Sequence, residues 1–200
     1  MTASAATPRK PDHAIDPLFF RRWSPRAFTG EEISVETLMG LFEAARWAPS
    51  AMNAQPWRFV YARRGAPAFD RFLAVLAQSN QLWAGRAAAL VAVVSRELMA
   101  VSGKAELVPS ASHSFDAGAA WAQLALQAHL WGWSTHAMGG FDREKAGEAL
   151  SLPAHHRIEV FVAIGRQGEA AVLPDWAKVR EKPNDRFPLA ELVQEGSFGL

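Results

Sequence analysis

Cysteine is absent from the 200 residues of this chain, so disulfide bonds, thiolate metal ligands and cysteine nucleophiles are excluded. Long apolar runs are missing too, since stretches such as residues 87–94 are far shorter than the roughly 20 residues that cross a bilayer. Residues 1–17 are polar and contain prolines, unlike a secretory signal. The net charge is only +1 and the Lys and Arg residues are scattered. We therefore expect a soluble cytoplasmic protein with neither a membrane nor a nucleic-acid partner.

The motifs of several enzyme classes are also missing. The six histidines include no pair at helical metal-ligand spacing beside an acid, so we predict no metal site. The absence of a Gly-x-Ser-x-Gly sequence argues against a serine hydrolase. Neither Gly-x-Gly-x-x-Gly nor a P-loop occurs, so a dinucleotide-binding fold and an NTPase have no support.

The chain does contain enough apolar residues for one large core. Half of the residues are hydrophobic and a fifth are charged, which at this length is typical of one domain or one subunit of an intimate dimer. Eight tryptophans stand against one tyrosine, and large aromatic side chains fill cores, wall ring-shaped ligands or line subunit interfaces. We predict a mobile tail over residues 1–13 and a single domain over residues 14–200.

Hydrophobic periodicity and turn residues predict an α+β fold, with about four strands in one sheet and helices on both faces. Helices are expected at 16–22, from Ser34 to Pro49, from Pro67 onward, at 114–131 and at 142–150. Strands are expected at 57–62, 88–94, 134–138 and 158–164. Residues 97–112 are polar and irregular, which indicates a mobile loop. Residues 167–200 are too long for a simple tail, and we expect them to wrap around another part of the assembly.

Three cations and a hydroxyl fall within residues 21–26. Arg22 and Arg26 can bind phosphate oxygens in a bidentate manner, and the Ser24 hydroxyl is a further donor. A solvated basic surface is the alternative, although Trp23 and the proline after Ser24 make the segment stiff and partly apolar. The segment therefore favours a phosphate site and leaves the surface interpretation open.

A polar loop between a predicted helix and a predicted strand, residues 49–56, is the most informative stretch. It offers the side chains of Ser50, Asn53 and Gln55 between two prolines, and two tryptophans flank it. Amide side chains donate and accept at once, which matches the alternating N–H and C=O edge of a flavin or pterin ring. Asn and Ser also favour ordinary turns, so the loop taken alone is equally compatible with a structural role. Together with residues 21–26, it predicts a cofactor with a ring at one end and a phosphate at the other.

Residues 137–142 follow a predicted strand and precede a predicted helix. Gly139 and Gly140 would let the backbone approach a flat ligand closely, and free N–H groups at the helix start could face it. An ordinary strand-to-helix turn capped by Asp142 fits the pattern at least as well. Arg186 lies in the long tail, where its sequence context indicates no more than a surface charge.

These segments resemble the nitroreductase family of FMN-dependent oxidoreductases, and the resemblance covers residues 18–193. The first segment is similar to the family's opening Arg-x-Ser-x-Arg/Lys signature, and the second to its Ala-Pro-Ser-x-x-Asn-x-Gln-Pro-Trp loop. The two motifs in this order and at this separation are fairly specific. The chain departs from many members at Gly139, where they carry Glu, and at Trp23, where a basic residue is commoner.

The resemblance implies a set of cofactor-binding residues. At the phosphate and ribityl end it places Arg22, Trp23, Ser24, Arg26 and, from the tail, Arg186. From the partner subunit, the residues that would line the flavin are Pro49, Ser50, Ala51, Asn53 and Gln55. Those that match a segment over one flavin face are Met138, Gly139 and Gly140, and Gln81 matches an amide near the pyrimidine edge. No metal ligand and no catalytic side chain is implied, because the flavin carries the chemistry.

The resemblance also implies an architecture and a reaction. The fold would have a central mixed, mainly antiparallel sheet of four to five strands flanked by helices, in a homodimer with extended termini and active sites at the interface. FMN would be the cofactor and NAD(P)H the electron donor, with ping-pong hydride transfer through flavin N5 to nitroaromatic, quinone or similar electron-poor small molecules. The alternatives are a flavin-binding sensor or carrier without general turnover, a specialised member such as a dehalogenase or enoate reductase, and a structural module that binds no flavin.

Overall fold

The computed structural model describes residues 9–198, and a four-stranded sheet lies at its centre. The strands within these residues are β1 (Trp57–Arg63), β2 (Ala89–Arg96), β3 (Leu98–Met99), β4 (Val108–Pro109), β5 (Ser134–Met138) and β6 (His156–Gly165). The helices are α1 (Pro17–Arg21), α2 (Val35–Arg46), α3 (Pro67–Val75), α4 (Gln78–Ala84), α5 (His113–Leu130), α6 (Arg143–Leu150), α7 (Asp175–Lys178) and α8 (Leu189–Leu192). Short 3₁₀ turns occur at Ala51–Asn53 and Ala170–Val172.

The sheet has the strand order β1-β2-β6-β5, and each of its three pairings is antiparallel. The prediction of an α+β fold, with a mainly antiparallel sheet of four to five strands flanked by helices, is confirmed. Residues 97–112 are not irregular throughout, as the sequence suggested, because β3 and β4 pair there as a short hairpin. Strands of two residues are too short to leave an alternating pattern in the sequence.

Strand β2 is buried on both faces because helices cover the sheet from either side. Its alternate residues Leu90, Ala92 and Val94 belong to one core cluster, and Ala89, Val91 and Val93 belong to the other. Helices α3, α4 and α6 contribute to the first cluster, and α2 and α5 contribute to the second. A strand buried in this way has the continuous apolar run that its sequence shows.

Local sequence signals set the ends of α2. The Ser34 hydroxyl accepts a hydrogen bond from the N–H of Thr37 at 3.0 Å, and the helix ends at Arg46, shortly before Pro49. Gly40 lies against the ring of Trp131, where an added Cβ would be 2.4 Å from the ring. The missing side chain at Gly40 therefore lets α2 approach the end of α5 closely.

The other predicted elements are present, and three short helices, α4, α7 and α8, were missed. Helix α5 ends shortly before Gly132, whose φ is +73°, and Asp142 caps α6 by accepting the N–H of Lys145 at 3.1 Å. Helix α4 was not predicted from the sequence. It has only seven residues and begins after Ala77 without a side-chain cap, so neither periodicity nor a cap residue announces it.

The two terminal segments lie against one another. The Asp12 carboxylate accepts the N–H of Leu189 at 2.9 Å, and Arg9 Nε donates to the carbonyl oxygen of Asn184 at 2.6 Å. The predicted tail over residues 1–13 falls in part on residues 1–8, which lie outside the described residues. No helix within residues 9–198 is long and apolar enough to cross a membrane.

Candidate cofactor site

A cavity of about 220 Å³ opens between the segment that follows α1 and the C-terminal segment. Its lining consists of Arg9, Arg22, Trp23, Ser24, Arg26, His136, Arg180, Lys182, Asn184 and Arg186. Six of these residues are arginines or lysines, and no carboxylate is among the described residues that line the cavity. Such a concentration of unbalanced positive charge makes the cavity a candidate anion site.

The cavity brings together the residues that the sequence predicts at the phosphate end of a cofactor. These are Arg22, Trp23, Ser24, Arg26 and Arg186. Arg22 Nη1 lies 3.4 Å from the Ser24 hydroxyl, so a guanidinium and a hydroxyl point to one place. That combination of donors suits the oxygens of a phosphate.

Glu181 attaches the C-terminal segment to the backbone of the Arg22–Arg26 motif. Its Oε1 accepts the N–H groups of Arg26 and Ala27, each at 2.8 Å, and its Oε2 accepts the Arg26 N–H at 3.0 Å. Arg180 and Lys182 flank Glu181 in sequence, and both line the cavity. The carboxylate thus binds main-chain donors and brings two cations to the site without lining the cavity itself.

Arg9 joins the same two segments from the N-terminal side. Its Nη1 donates to the carbonyl oxygens of Arg22 at 2.8 Å and Phe20 at 3.2 Å, in addition to the bond from Nε to Asn184. Burial lowers the pKa of Arg22, and the positive charges of Arg9 and Arg186 lower it further. Burial also lowers the pKa of Arg9, with Arg186 acting in the same direction. Both shifts arise mainly from burial, and the repulsion between neighbouring cations adds to them.

His136, in the middle of β5, lines the cavity. Its Nδ1 lies 3.1 Å from the carbonyl oxygen of Pro25 and carries the proton of that hydrogen bond, because a carbonyl can only accept. Burial lowers the pKa of His136 to about 4, and the charge of Arg26 acts in the same direction. The ring is therefore neutral at pH 7, and it packs 4.7 Å from the ring of Trp83 in α4.

Gly140 and Gln81 lie where α4 meets the end of β5. The Gly140 carbonyl oxygen accepts the N–H of Ala77 at 2.9 Å and the Asn80 amide at 3.1 Å. The Gln81 amide donates to the carbonyl oxygens of Leu76 at 2.7 Å and, less closely, Ala74. Met138 is buried, whereas Gly139 and Gly140 are exposed, and an added Cβ at Gly139 would meet nothing within 4 Å. The backbone at Gly139 therefore has room for a flat ligand, whereas a Cβ at Gly140 would lie 3.2 Å from Asn80 Nδ2 and 3.4 Å from the Ala77 Cβ.

The loop of residues 49–55 has an unusual backbone. Met52, Asn53 and Gln55 have φ values of 51°, 53° and 47°, in the left-handed region that non-glycine residues rarely occupy. The Ser50 hydroxyl accepts the Gln55 N–H at 3.0 Å, and the Gln55 amide donates to the Asn53 carbonyl oxygen at 3.1 Å. Ala51, Asn53 and Gln55 are exposed, so the loop presents polar groups outward from the protomer.

This loop does not line the cation-lined cavity of its own protomer. Five further residues of that cavity were not predicted from the sequence, namely Arg9, His136, Arg180, Lys182 and Asn184. A sequence pattern could have indicated Arg180, Lys182 and Asn184. Together with Arg186 they occupy every second position of a proline-containing segment. Alternate residues of an extended chain point to the same side. Arg9 and His136 have no such signal.

Comparison with known proteins decides the family. The family model described as "Nitroreductase family" matches residues 20–82 and 62–166, so the match runs from the last turn of α1 to the end of β6. The chain belongs to the nitroreductase family.

Relatives of this nitroreductase-family chain support the assignment over most of its length. It is 45% identical to a crystal structure described as an oxidoreductase containing FMN, which covers 98% of both chains with a TM-score of 0.93. A structure from Desulfovibrio desulfuricans, assigned as a nitroreductase in complex with FMN, is 27% identical, covers 93% of this chain and 100% of its own, and has a TM-score of 0.71. Bacillus subtilis YdgI, assigned as an NAD(P)H nitroreductase, is 27% identical over 170 residues, or 69% of this chain and 80% of YdgI.

Proposed function

We propose that this chain is an FMN-dependent oxidoreductase that takes electrons from NAD(P)H and reduces nitroaromatic, quinone or similar electron-poor small molecules. The observation that carries the proposal is the cavity lined by six cations and no carboxylate, in a chain of the nitroreductase family. The FMN bound by two similar solved structures adds support.

The lining of the cavity fits the phosphate end of FMN. A phosphate monoester carries a charge of about −1.5 to −2 at pH 7. Arg22, Ser24, Arg26 and Arg186 would hold its oxygens, because all four line the cavity and no acidic side chain is among the described residues that line it. Asn184, whose amide can donate and accept, would suit the hydroxyls of the ribityl chain.

The residues proposed for the flavin ring are polar or small, as positioning requires. The amides of Asn53 and Gln55 would pair with the ring edge, and the exposed backbone at Gly139 and Gly140 would lie under its face. Bound FMN would supply the redox chemistry, accepting a hydride equivalent at N5 and passing it to the acceptor. The chain's own residues would bind the cofactor, orient it and leave one face open, so no side chain needs to act as an acid or base.

We also propose a homodimer with the active sites at the interface. Several large apolar side chains of the protomer are exposed, among them Trp47, Phe115 and Leu130, which are exposed to 71%, 82% and 63%. Exposed apolar surface of this kind marks an interaction site. Because the 49–55 loop does not line the cavity of its own protomer, a second copy that supplies this loop would complete the site.

The test is the visible absorption spectrum of the purified protein supplied with FMN, followed by NADPH and NADH separately under nitrogen. We expect flavin bands at about 450 nm that bleach with at least one nucleotide and return when a nitroarene or quinone is added. Arg22→Ala should lose FMN, whereas Arg71→Ala, an exposed arginine of α3, should retain it. Bands that persist with both nucleotides would instead support a non-catalytic flavin protein, and a chain unable to bind FMN would refute the proposal.

A further inference from the structure

Asp116 is a buried carboxylate that the proposed function does not use. It is the fourth residue of α5, and only 4% of the residue's surface is exposed. Its Oδ2 accepts two hydrogen bonds, from the N–H of Ala51 at 3.2 Å and from the Ser112 hydroxyl at 2.9 Å. Burial of a carboxylate costs free energy unless hydrogen bonds compensate for the lost water. The hydrogen bond from Ala51 is one of the two that compensate here.

The segment that Asp116 contacts is the 49–55 loop, whose backbone is strained. Three of its residues have positive φ, and each residue held in a sparsely populated region persists only when the surrounding structure enforces it. The hydrogen bonds from the Gln55 N–H to the Ser50 hydroxyl and from the Asn53 N–H to the Ser50 carbonyl oxygen lie within the loop itself. The Ala51–Asp116 bond ties this loop to a different element, the first turn of α5.

That first turn is itself fixed to the sheet. The Ser114 hydroxyl donates to Glu159 of β6 at 2.6 Å, and the Ser95 hydroxyl of β2 donates to the same carboxylate at 2.6 Å. The Ser95 oxygen also lies 2.8 Å from Nδ1 of His113, the first residue of α5. The partial positive charge at a helix N-terminus further favours a carboxylate at Asp116. Asp116, the acceptor for the Ala51 N–H, therefore lies in a helical turn that hydrogen bonds attach to the sheet.

We propose that Asp116 is a positioning residue of the flavin site, which holds the 49–55 loop in the conformation that presents Asn53 and Gln55 to the ring. The inference rests on the proposed function. Asp116 would touch neither the ring nor the phosphate, because it acts through the Ala51 N–H. Loss of that bond would release the strained backbone and move the amides away from the ring edge.

The test compares Asp116→Ala with Asp70→Ala, since Asp70 is also the fourth residue of its helix but is exposed. Loss of a hydrogen bond to a charged acceptor corresponds to a factor of about 10 to 100 in binding. We expect Asp116→Ala to weaken FMN binding by that factor, to make the midpoint potential of bound FMN more negative, and to speed amide exchange at residues 50–55. Asp70→Ala should change none of these. Asp116→Asn, which keeps an acceptor oxygen, should restore FMN binding to within about threefold of the wild type.

Ala51→Pro removes the donor from the other side of the bond and serves if Asp116→Ala does not fold. Residue 50 is already extended, with φ −149° and ψ 152°, which is the conformation required before a proline. Ala51→Pro should reproduce faster loop exchange and the shifted potential. If both variants bind FMN as the wild type does, with unchanged potential and exchange, the positioning role is overturned while the proposed function stands. Failure of the wild type to bind FMN overturns both.

Discussion

Replacement of Glu181 by alanine should weaken FMN binding, although the change removes a negative charge from beside a cation-lined cavity. The Glu181 carboxylate holds the main-chain N–H groups of Arg26 and Ala27 at 2.8–3.0 Å and is half-buried. Without this carboxylate the C-terminal segment loses its hydrogen bonds to the Arg22–Arg26 motif. Arg180 and Lys182 would then leave the cavity, and the Arg26 backbone would lose its support.

The two effects of this substitution have opposite signs, and their magnitudes decide between them. Each hydrogen bond to an ionised acceptor contributes about 1.5–3 kcal/mol, and water would replace part of this at a half-buried site, which leaves about 3 kcal/mol for the two N–H groups. A screened charge near the surface contributes about 1 kcal/mol or less to the attraction of the site for an anion. The net loss of about 2 kcal/mol corresponds to FMN binding that is roughly 30-fold weaker.

Fluorescence titration of apoprotein with FMN measures this change directly. Glu181→Gln keeps one acceptor oxygen and should fall between the wild type and Glu181→Ala. Glu169→Ala removes an exposed carboxylate from the same segment and should leave FMN affinity within about twofold of the wild type. Tighter FMN binding by Glu181→Ala would refute the reasoning, because it would mean that charge, not attachment of the segment, controls the site.

Three further predictions concern the core, the pH dependence and the cation cluster. Gly165→Ala would place a Cβ 2.6 Å from the buried ring of Phe28, so it should lower the free energy of unfolding by about 1–3 kcal/mol in urea denaturation. Gly147→Ala has open space around the added Cβ and should raise the free energy of unfolding by up to about 1 kcal/mol. His136 has a folded pKa of about 4, below the unfolded value of 6.5, so the unfolded state binds more protons and the apoprotein should lose stability as the pH falls from about 6.5 to 4. At about 1.4 kcal/mol per pH unit the full loss is about 3 kcal/mol, and His136→Gln should remove this slope. Arg22→Ala should weaken FMN binding at least tenfold at low salt and should change riboflavin binding far less, because riboflavin lacks the phosphate; equal losses for both ligands would place Arg22 away from the phosphate.

Local signals made most of the fold predictable from the sequence. The caps at Ser34 and Asp142 and the proline at the start of α3 act within one turn, so they set helix ends wherever the chain lies in space. The apolar run of β2 reflects burial on both faces. The hairpin of β3 and β4 and the short helix α4 have too few residues to carry a periodic pattern.

The candidate site was predictable only in part. The motif around Arg22 and the loop around Asn53 each carry their residue types in a short stretch, which the sequence displays. Their supports do not, because Glu181 meets Arg26, and Asp116 meets Ala51, across long separations in the chain. No local pattern relates such residues, so the resemblance to a family could suggest the contacts with a cofactor but not the contacts that hold the motif.

The parts of the chain that break local rules are the parts assigned to the site. The 49–55 loop holds three non-glycine residues at positive φ, the cavity gathers six cations with no carboxylate in its described lining, and large apolar side chains remain exposed on the protomer. Each of these features disfavours an isolated, ligand-free protomer, and each would be relieved by one event, the binding of an anionic cofactor between two copies. The sheet, whose central strand is buried on both faces, supplies the stability that offsets these costs. Cofactor binding and dimer formation should therefore stabilise the same state of the protein, because a ligand that binds only the assembled site shifts the equilibrium toward it.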